Sequence, residues 1–88
     1  MFTLTTDYTL TTDRVDGAVV HTITDPQGRV LDTRSAACAY RGVVLTISEM
    51  SDRAGVWSWH LTTDGARAAA DRLTRVRPEV HFRAVTAA

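Results

Sequence analysis

Three histidines, His21, His60 and His81, are the residues of this 88-residue chain best suited to proton transfer near neutral pH. Histidines also bind metal ions when further ligands follow at a regular spacing, as in H-x-x-x-H. None of the three has such a neighbour, and Cys38, the single cysteine, has no partner at the C-x-x-C spacing. The sequence therefore predicts no metal, no cofactor and no catalytic histidine. We expect strand histidines that pack or hydrogen-bond.

Nucleophilic catalysis would need a hydroxyl held against a base, with a third group orienting that base. The candidate pair is Thr46 and His60, which we expect to lie opposite each other on neighbouring strands, with Ser48 and Ser58 nearby. Such neighbours arise by chance in a threonine-rich sheet, and the chain has neither G-x-S-x-G nor a phosphate-binding loop. The sequence predicts no catalytic residue. A small enzyme or ligand-binding protein that uses His60 and Trp57 is the second alternative.

Two tryptophans alternate in the segment VWSWHL and could stack on a ligand or a base. Strict alternation places Trp57, Trp59 and Leu61 on one face of a strand. Alternate aromatic residues beside an alanine-faced helix are more typical of a core. We therefore expect Trp59 to be buried against the helix and Trp57, which is nearer a loop, to be partly buried.

All ten basic residues are arginine, and the chain contains no lysine, as GC-rich coding would produce. From residue 53 onward, six arginines stand against three acidic residues. A basic stripe around the helix end would favour nucleic-acid binding, which is the first alternative function. The formal net charge of zero weakens that alternative. The candidate residues are Arg67, Arg72, Arg75, Arg77 and Arg83.

The elements that must position these residues begin with the doubled motif TLTTDYTLTTDR at 3–14. Its apolar residues and threonines alternate with a period of two, which predicts a strand over 2–12, or two shorter strands divided near Asp7. A third LTTD at 61–64 precedes an alanine-rich segment with helical periodicity. There a threonine at 62 or 63 is expected to cap a helix over 63–76. The repeated letters therefore perform different structural roles.

Two tight turns define the predicted register of the first three strands. The Asp-Gly pair at 16–17 suits a type I′ hairpin, which sets Leu10 opposite Ile23. The segment DPQGR at 25–29 suits a turn with glycine in the left-handed position, which sets Ile23 opposite Leu31. The two turns therefore predict one apolar row across three strands.

The same register leaves further apolar residues on the reverse side of these strands. A sheet that is apolar on both faces is usually covered on both. One helix cannot cover both faces, so we expect a second copy of the chain to dock there. The predicted interface residues are Val15, Ala18, Val20 and Val30, accompanied by Thr22, Asp32 and Arg34.

A second hairpin is predicted from VVLTISEM and VWSWHL, which flank the loop SDRAG. Its predicted pairs are Met50 with Val56, Ile47 with Trp59, and Leu45 with Leu61.

The predicted fold is a single α+β domain over 1–88, with an antiparallel sheet of five to six strands in the order ββββ-β-α-β. One helix in the C-terminal half packs on one sheet face. Strands are expected near 2–12, 18–24, 29–36, 43–50, 56–61 and 79–85. The expected core is Phe2, Leu4, Leu10, Ile23, Leu31, Leu45, Ile47, Trp59, Leu61, Ala69, Leu73, Val76 and Phe82.

The function that these features favour is a small non-enzymatic interaction or regulatory module, acting as a homodimer through its sheet surface. The lone cysteine indicates a reducing compartment. No apolar run approaches the roughly 18–20 residues that span a bilayer, and the opening residues MFTLTTDYTL do not resemble a signal peptide. We therefore expect a cytoplasmic protein with no membrane partner.

Overall fold

The computed structural model describes residues 7–47 and 54–87. Within these ranges it contains six strands and one helix, which precedes the last strand. This confirms the α+β class, with its helix in the C-terminal half. The elements are β1 (Thr9–Val15), β2 (Ala18–Thr24), β3 (Val30–Ala36), β4 (Gly42–Ile47), β5 (Gly55–His60), α1 (Thr63–Val76) and β6 (His81–Thr86).

The six described strands are divided between two antiparallel sheets. The first sheet has the order β1-β2-β3, and the second has the order β5-β4-β6. Because β4 separates β5 from β6, α1 is a crossover connection that passes over β4. The two sheets face each other, and α1 covers the far side of the second sheet, which gives three layers.

Strand β4 explains why the second sheet occupies the middle layer. Val43, Val44 and Leu45 are consecutive and fully buried. Val43 and Leu45 pack with Leu10 and Ile23 between the sheets, whereas Val44 packs on the opposite side against the helix. A run of apolar residues without alternation is typical of a strand buried on both faces.

The first hairpin confirms the predicted type I′ turn and its register. Asp16 and Gly17 have φ angles of 51° and 81°, as both central residues of this turn require. Leu10 lies opposite Ile23, and Val15 lies opposite Ala18, as expected.

The second hairpin departs from the prediction by one residue. Asp25 pairs with Arg29 as expected, but Ile23 lies opposite Asp32 rather than Leu31, because a β-bulge interrupts the pairing between Ile23 and Thr24. Leu31 still packs against the apolar cluster between the sheets. The predicted row is therefore wrong in register, although all three of its leucine and isoleucine side chains join the core.

The turn at 25–29 is built around the buried carboxylate of Asp25. This carboxylate accepts hydrogen bonds from the backbone N–H groups of Gln27 (3.0 Å) and Arg29 (2.8 Å) and from Arg29 Nε (2.7 Å). Burial alone would raise the pKa of Asp25, but the backbone and guanidinium of Arg29, together with the Gln27 amide, hold that pKa below its ordinary value.

Replacing Asp25 by asparagine is expected to lower the free energy of unfolding at neutral pH. Because the folded-state pKa lies below the ordinary value of 3.8, the ionised carboxylate stabilises the fold above that pH. Its contribution is lost as the pH falls through the folded-state pKa. The difference between the parent and Asp25→Asn, measured by urea unfolding, should therefore be constant above about pH 5 and should shrink in stronger acid. Asp32→Asn removes an exposed carboxylate nearby, and an equal pH dependence in that control would contradict the assignment.

The pairing predicted between β4 and β5 is wrong. Val43 lies opposite Trp59, and Leu45 lies opposite Val56. A bulge at Trp57 reverses the alternation, so Val56 and Trp59 both face the first sheet, while Trp57 faces the helix side. Within the described residues β4 extends to Ile47 and β5 begins at Gly55, and most of the predicted loop at 51–55 lies outside them. Met50 lies outside the described residues.

Helix α1 begins and ends at the predicted residues. The Thr62 hydroxyl accepts a hydrogen bond from the Gly65 N–H at 2.9 Å, and Asp64 lies in the first turn. The buried helix residues are alanines, which pack with Leu73 and Phe82 rather than with Trp59 as predicted. No helix within residues 7–47 and 54–87 is both long and apolar enough to cross a membrane.

Two predicted core residues are exposed. Leu61 is 56% exposed in the turn before the helix, and Val76 is 70% exposed in its last turn. Both lie where the chain leaves the packed layers. A side chain there has no neighbouring layer to pack against, although the strand or helix periodicity matches that of the core residues. Phe2 and Leu4 lie outside the described residues. Buried residues that the expected core did not include are Val19, His21, Asp25, Val43, Val44, Ala66, Ala70 and Val85.

Candidate functional site

The outer face of the first sheet is the side turned away from the second sheet. The four predicted interface residues all lie on this outer face. On β2, Ala18, Val20 and Thr24 share it because they are separated by even numbers of residues. Val15 and Val30 share it because they pair with Ala18 and Thr24. Val15 and Val30 are 52% and 50% exposed. No described helix or strand packs against this face. Asp32 and Arg34, which were predicted there, instead have the parity of the inner face because of the bulge.

The chemistry of the outer face is aliphatic and hydroxylic. Val15, Ala18 and Val20 lie toward one end and Val30 lies at the other. At about 3.3 Å per residue, Val30 is about 20 Å from Ala18 and about 13 Å from Val20 along the strands. A row of paired threonines, Thr11, Thr22 and Thr33, crosses the sheet between these ends. Asp13 is the one charged residue on this face within the described chain.

His21 is a structural residue, and the surrounding geometry assigns its tautomer. It is 0% exposed; its Nδ1 lies 3.1 Å from the Arg34 carbonyl oxygen, and the Tyr40 N–H donates to its Nε2 at 2.8 Å. Since the carbonyl only accepts and the amide only donates, the ring is neutral with its proton on Nδ1. His21 shares the strand parity of Ile23, which places both side chains on the inner face of β2.

Three rings close one edge of the gap between the sheets. His21, Tyr40 and Trp59 have centroid separations of 5.3, 5.8 and 6.0 Å, with tilted or edge-on geometry. The Arg34 guanidinium lies over Tyr40, 5.0 Å from its centroid. This cluster joins both sheets through the segment at 37–41 and so serves packing.

The predicted Thr46–His60 pair does not form. Thr46 lies opposite Gly55, and His60 lies opposite Gly42, at the two ends of β4. His60 instead has its Nε2 2.7 Å from the Ser58 hydroxyl. Within the described chain no hydrogen bond reaches the other ring nitrogen, so this pair lacks the orienting third group that nucleophilic catalysis needs. Ser48 lies outside the described residues.

Trp57 is the most prominent exposed aromatic residue of the described chain. It is 51% exposed and packs edge-on against Phe82, with the centroids 5.3 Å apart. The helix packs mainly over β6 and β4, which leaves the β5 side of the sheet open. Ser58 and His60 lie on this same open side, because their partners on β4 face the helix.

The predicted arginine stripe is only partly assembled. Arg67, Arg72 and Arg75 are exposed on α1, and Arg77 follows its end. Arg83 does not join them: it pairs with Asp7 and lies over the Tyr8 ring at 5.5 Å, on the opposite side of the second sheet. There it helps line a shallow open groove of about 210 Å³. His81 is exposed near this end of β6.

The described chain is thus a two-sheet α+β protein whose candidate sites are surfaces rather than an enclosed pocket. Within residues 7–47 and 54–87, no cluster of three histidine, cysteine or acidic residues could hold a metal ion. Comparison with known proteins finds no matching family model, no matching curated protein and no matching solved structure.

Proposed function

We propose that this protein is a non-enzymatic interaction module with a regulatory role, and that it docks to a second copy of itself through the outer face of the first sheet. One contrast carries the proposal. The second sheet has the first sheet on one face and α1 over β4 and β6 on the other, whereas the described chain covers only the inner face of the first sheet. The half-exposed Val15 and Val30 lie on the uncovered side.

A second copy suits this face better than a charged partner does. The face carries hydroxyls and aliphatic groups with a single carboxylate, and the chain has no net charge to repel a copy. A contact between identical faces needs only self-complementarity.

The size of the face sets the strength of the dimer. Seven-residue strands and three-strand width give about 23 Å by about 14 Å, or about 320 Å² per copy. Stable interfaces bury about 800 Å² per partner. We therefore expect a weak, concentration-dependent dimer with a Kd of about 1 μM or weaker.

We place this dimer in the cytoplasm. Cys38 carries an exposed free thiol, a state that a reducing compartment maintains.

Val15→Asp and Val30→Asp are each expected to weaken the dimer by about tenfold or more, because a carboxylate would lose its hydration in the contact. Both side chains are half exposed in one protomer, so the fold should be retained. Sedimentation equilibrium from micromolar to millimolar concentration measures the effect, and the dimer should persist at high salt.

Leu61→Asp is the matched control, since Leu61 is similarly exposed but lies outside the outer face. A parent protein that stays monomeric throughout this range, or a control that dissociates as readily as the two valine variants, would refute the proposed interface.

A further inference from the structure

A second surface lies on the other side of the molecule, along the strip between α1 and β5. We propose that this strip binds single-stranded nucleic acid, with Trp57 stacking on a base and Arg72 contacting a phosphate. The inference is independent of the dimer, because the two faces are separated by the whole thickness of both sheets.

One contact and the helical repeat show which residues of α1 lie on the side of the helix next to β5. A Cβ placed on Gly65 would lie 4.0 Å from His60 Nδ1, so Gly65 faces β5. Residues four, seven and eleven positions later share this flank, which brings Ala69, Arg72 and Val76 to it in turn. Arg67 and Asp71 fall on other sides of the helix.

The exposed apolar surface of the strip is concentrated at the C-terminal end of the helix. β5 runs antiparallel to α1, so Trp57 lies toward the end that carries Arg72 and Val76. Trp57 is 51% exposed and Val76 is 70% exposed. Phe82 supports one edge of the indole and leaves much of the ring open to solvent.

The charge of the strip indicates the chemistry of its partner. Within the described chain, Arg72 has no carboxylate within ion-pair distance. The nearest acid along the helix, Asp71, points away from β5. A planar aromatic platform on the same strip as a guanidinium with no acidic partner in the described chain fits a ligand with flat bases and phosphates. Single strands fit better than duplexes, because only unstacked bases can stack on an indole.

The expected interaction is weak and sensitive to salt. Each phosphate contact to a single strand contributes a slope of about −0.7 to the dependence of log affinity on log salt. With Arg72, and with Arg75 one turn of the helix away, we expect one or two such contacts. Binding is therefore best measured at low ionic strength.

The test uses the full chain and a dye-labelled oligothymidylate, followed by fluorescence anisotropy. Trp57→Ala should weaken binding by about fivefold to a hundredfold, which is the range found for loss of one base stack. Trp57→Phe should restore part of the affinity. Arg72→Gln should weaken binding and reduce the salt slope by about 0.7. Arg67→Gln removes an equal charge from another side of the same helix and should leave binding unchanged.

Several results would overturn this assignment. One is the absence of binding by the folded parent at low salt. A second is an Arg67→Gln variant that weakens binding as much as Arg72→Gln, which would indicate general charge attraction. A third is equal binding of polyglutamate or of a DNA duplex, which would indicate another class of partner. Each of these results is independent of sedimentation behaviour, so the failure of either proposal is recognisable by itself.

Discussion

Replacing Gly42 by alanine is expected to lower the free energy of unfolding by about 2–3 kcal/mol, as overpacking of a dense core does. A Cβ at this position would lie 2.5 Å from the Ala66 Cβ, with the Thr62 carbonyl oxygen at 3.4 Å. The Ala66 methyl is attached directly to the helix backbone and cannot rotate away. The helix would therefore have to move off the second sheet. Urea unfolding of the parent and the variant measures the loss.

Two further variants test whether this contact is the cause. Gly55→Ala places a methyl group on the neighbouring strand, 3.3 Å from the Thr46 hydroxyl, which can rotate aside. Gly55→Ala should therefore lower the free energy of unfolding much less than Gly42→Ala does. Ala66→Gly alone should cost about 1 kcal/mol through helix propensity, but combined with Gly42→Ala it should recover most of the stability that Gly42→Ala loses. A double variant whose losses simply add would disprove direct contact between the helix and Gly42.

Replacing His21 by alanine is expected to cost about 3 kcal/mol or more, which is the second large effect. The change opens a cavity beside Tyr40 and Trp59, and it leaves the Tyr40 N–H and the Arg34 carbonyl without their hydrogen-bond partner. Both the cavity and the unpaired polar groups are costly in a fully buried site. Chemical unfolding monitored by circular dichroism measures the change.

His21→Phe separates the two causes, because it keeps a ring but loses both hydrogen bonds. The free energy of unfolding of His21→Phe should still be lower than that of the parent by about 1–3 kcal/mol, because the two backbone groups remain unpaired. His60→Ala is the matched control, because His60 is only partly buried and makes one side-chain hydrogen bond, to the Ser58 hydroxyl. We expect this variant to lower the free energy of unfolding by about 1 kcal/mol or less. If all three variants unfold at the same urea concentration, His21 does not hold the sheets together.

The candidate surfaces differ in how far the sequence could predict them. The valines of the outer face follow from period-two alternation and two tight turns, since a residue's side of a strand is a local property. The β5 strip does not follow in this way. A bulge at Trp57 placed Trp57 and Trp59 on opposite faces of β5, and the position of α1 over β6 left Trp57 exposed. Neither the bulge nor the lateral position of a helix has a signature within a few residues.

The same division separates the arginines. Arg67, Arg72 and Arg75 are exposed because helical periodicity keeps them off the buried alanine face of α1. Arg83 was grouped with them because it is near in sequence, but β6 turns it toward Asp7 on the opposite side of the second sheet. Whether a residue of β6 lies on the same side of the protein as the arginines of α1 depends on the order of strands in the sheet. The residues around Pro78, between α1 and β6, do not determine that order.

The sequence by itself determined the elements whose causes are local. The strand over 18–24, the helix over 63–76, its threonine cap and the left-handed glycines of both early turns depend on neighbouring residues alone. Only the tertiary structure decided the separation into two sheets, the complete burial of His21 and the burial of Val43, Val44 and Leu45 on both faces of β4. These depend on which distant apolar faces find each other, and burial is a non-directional force that many pairings could satisfy.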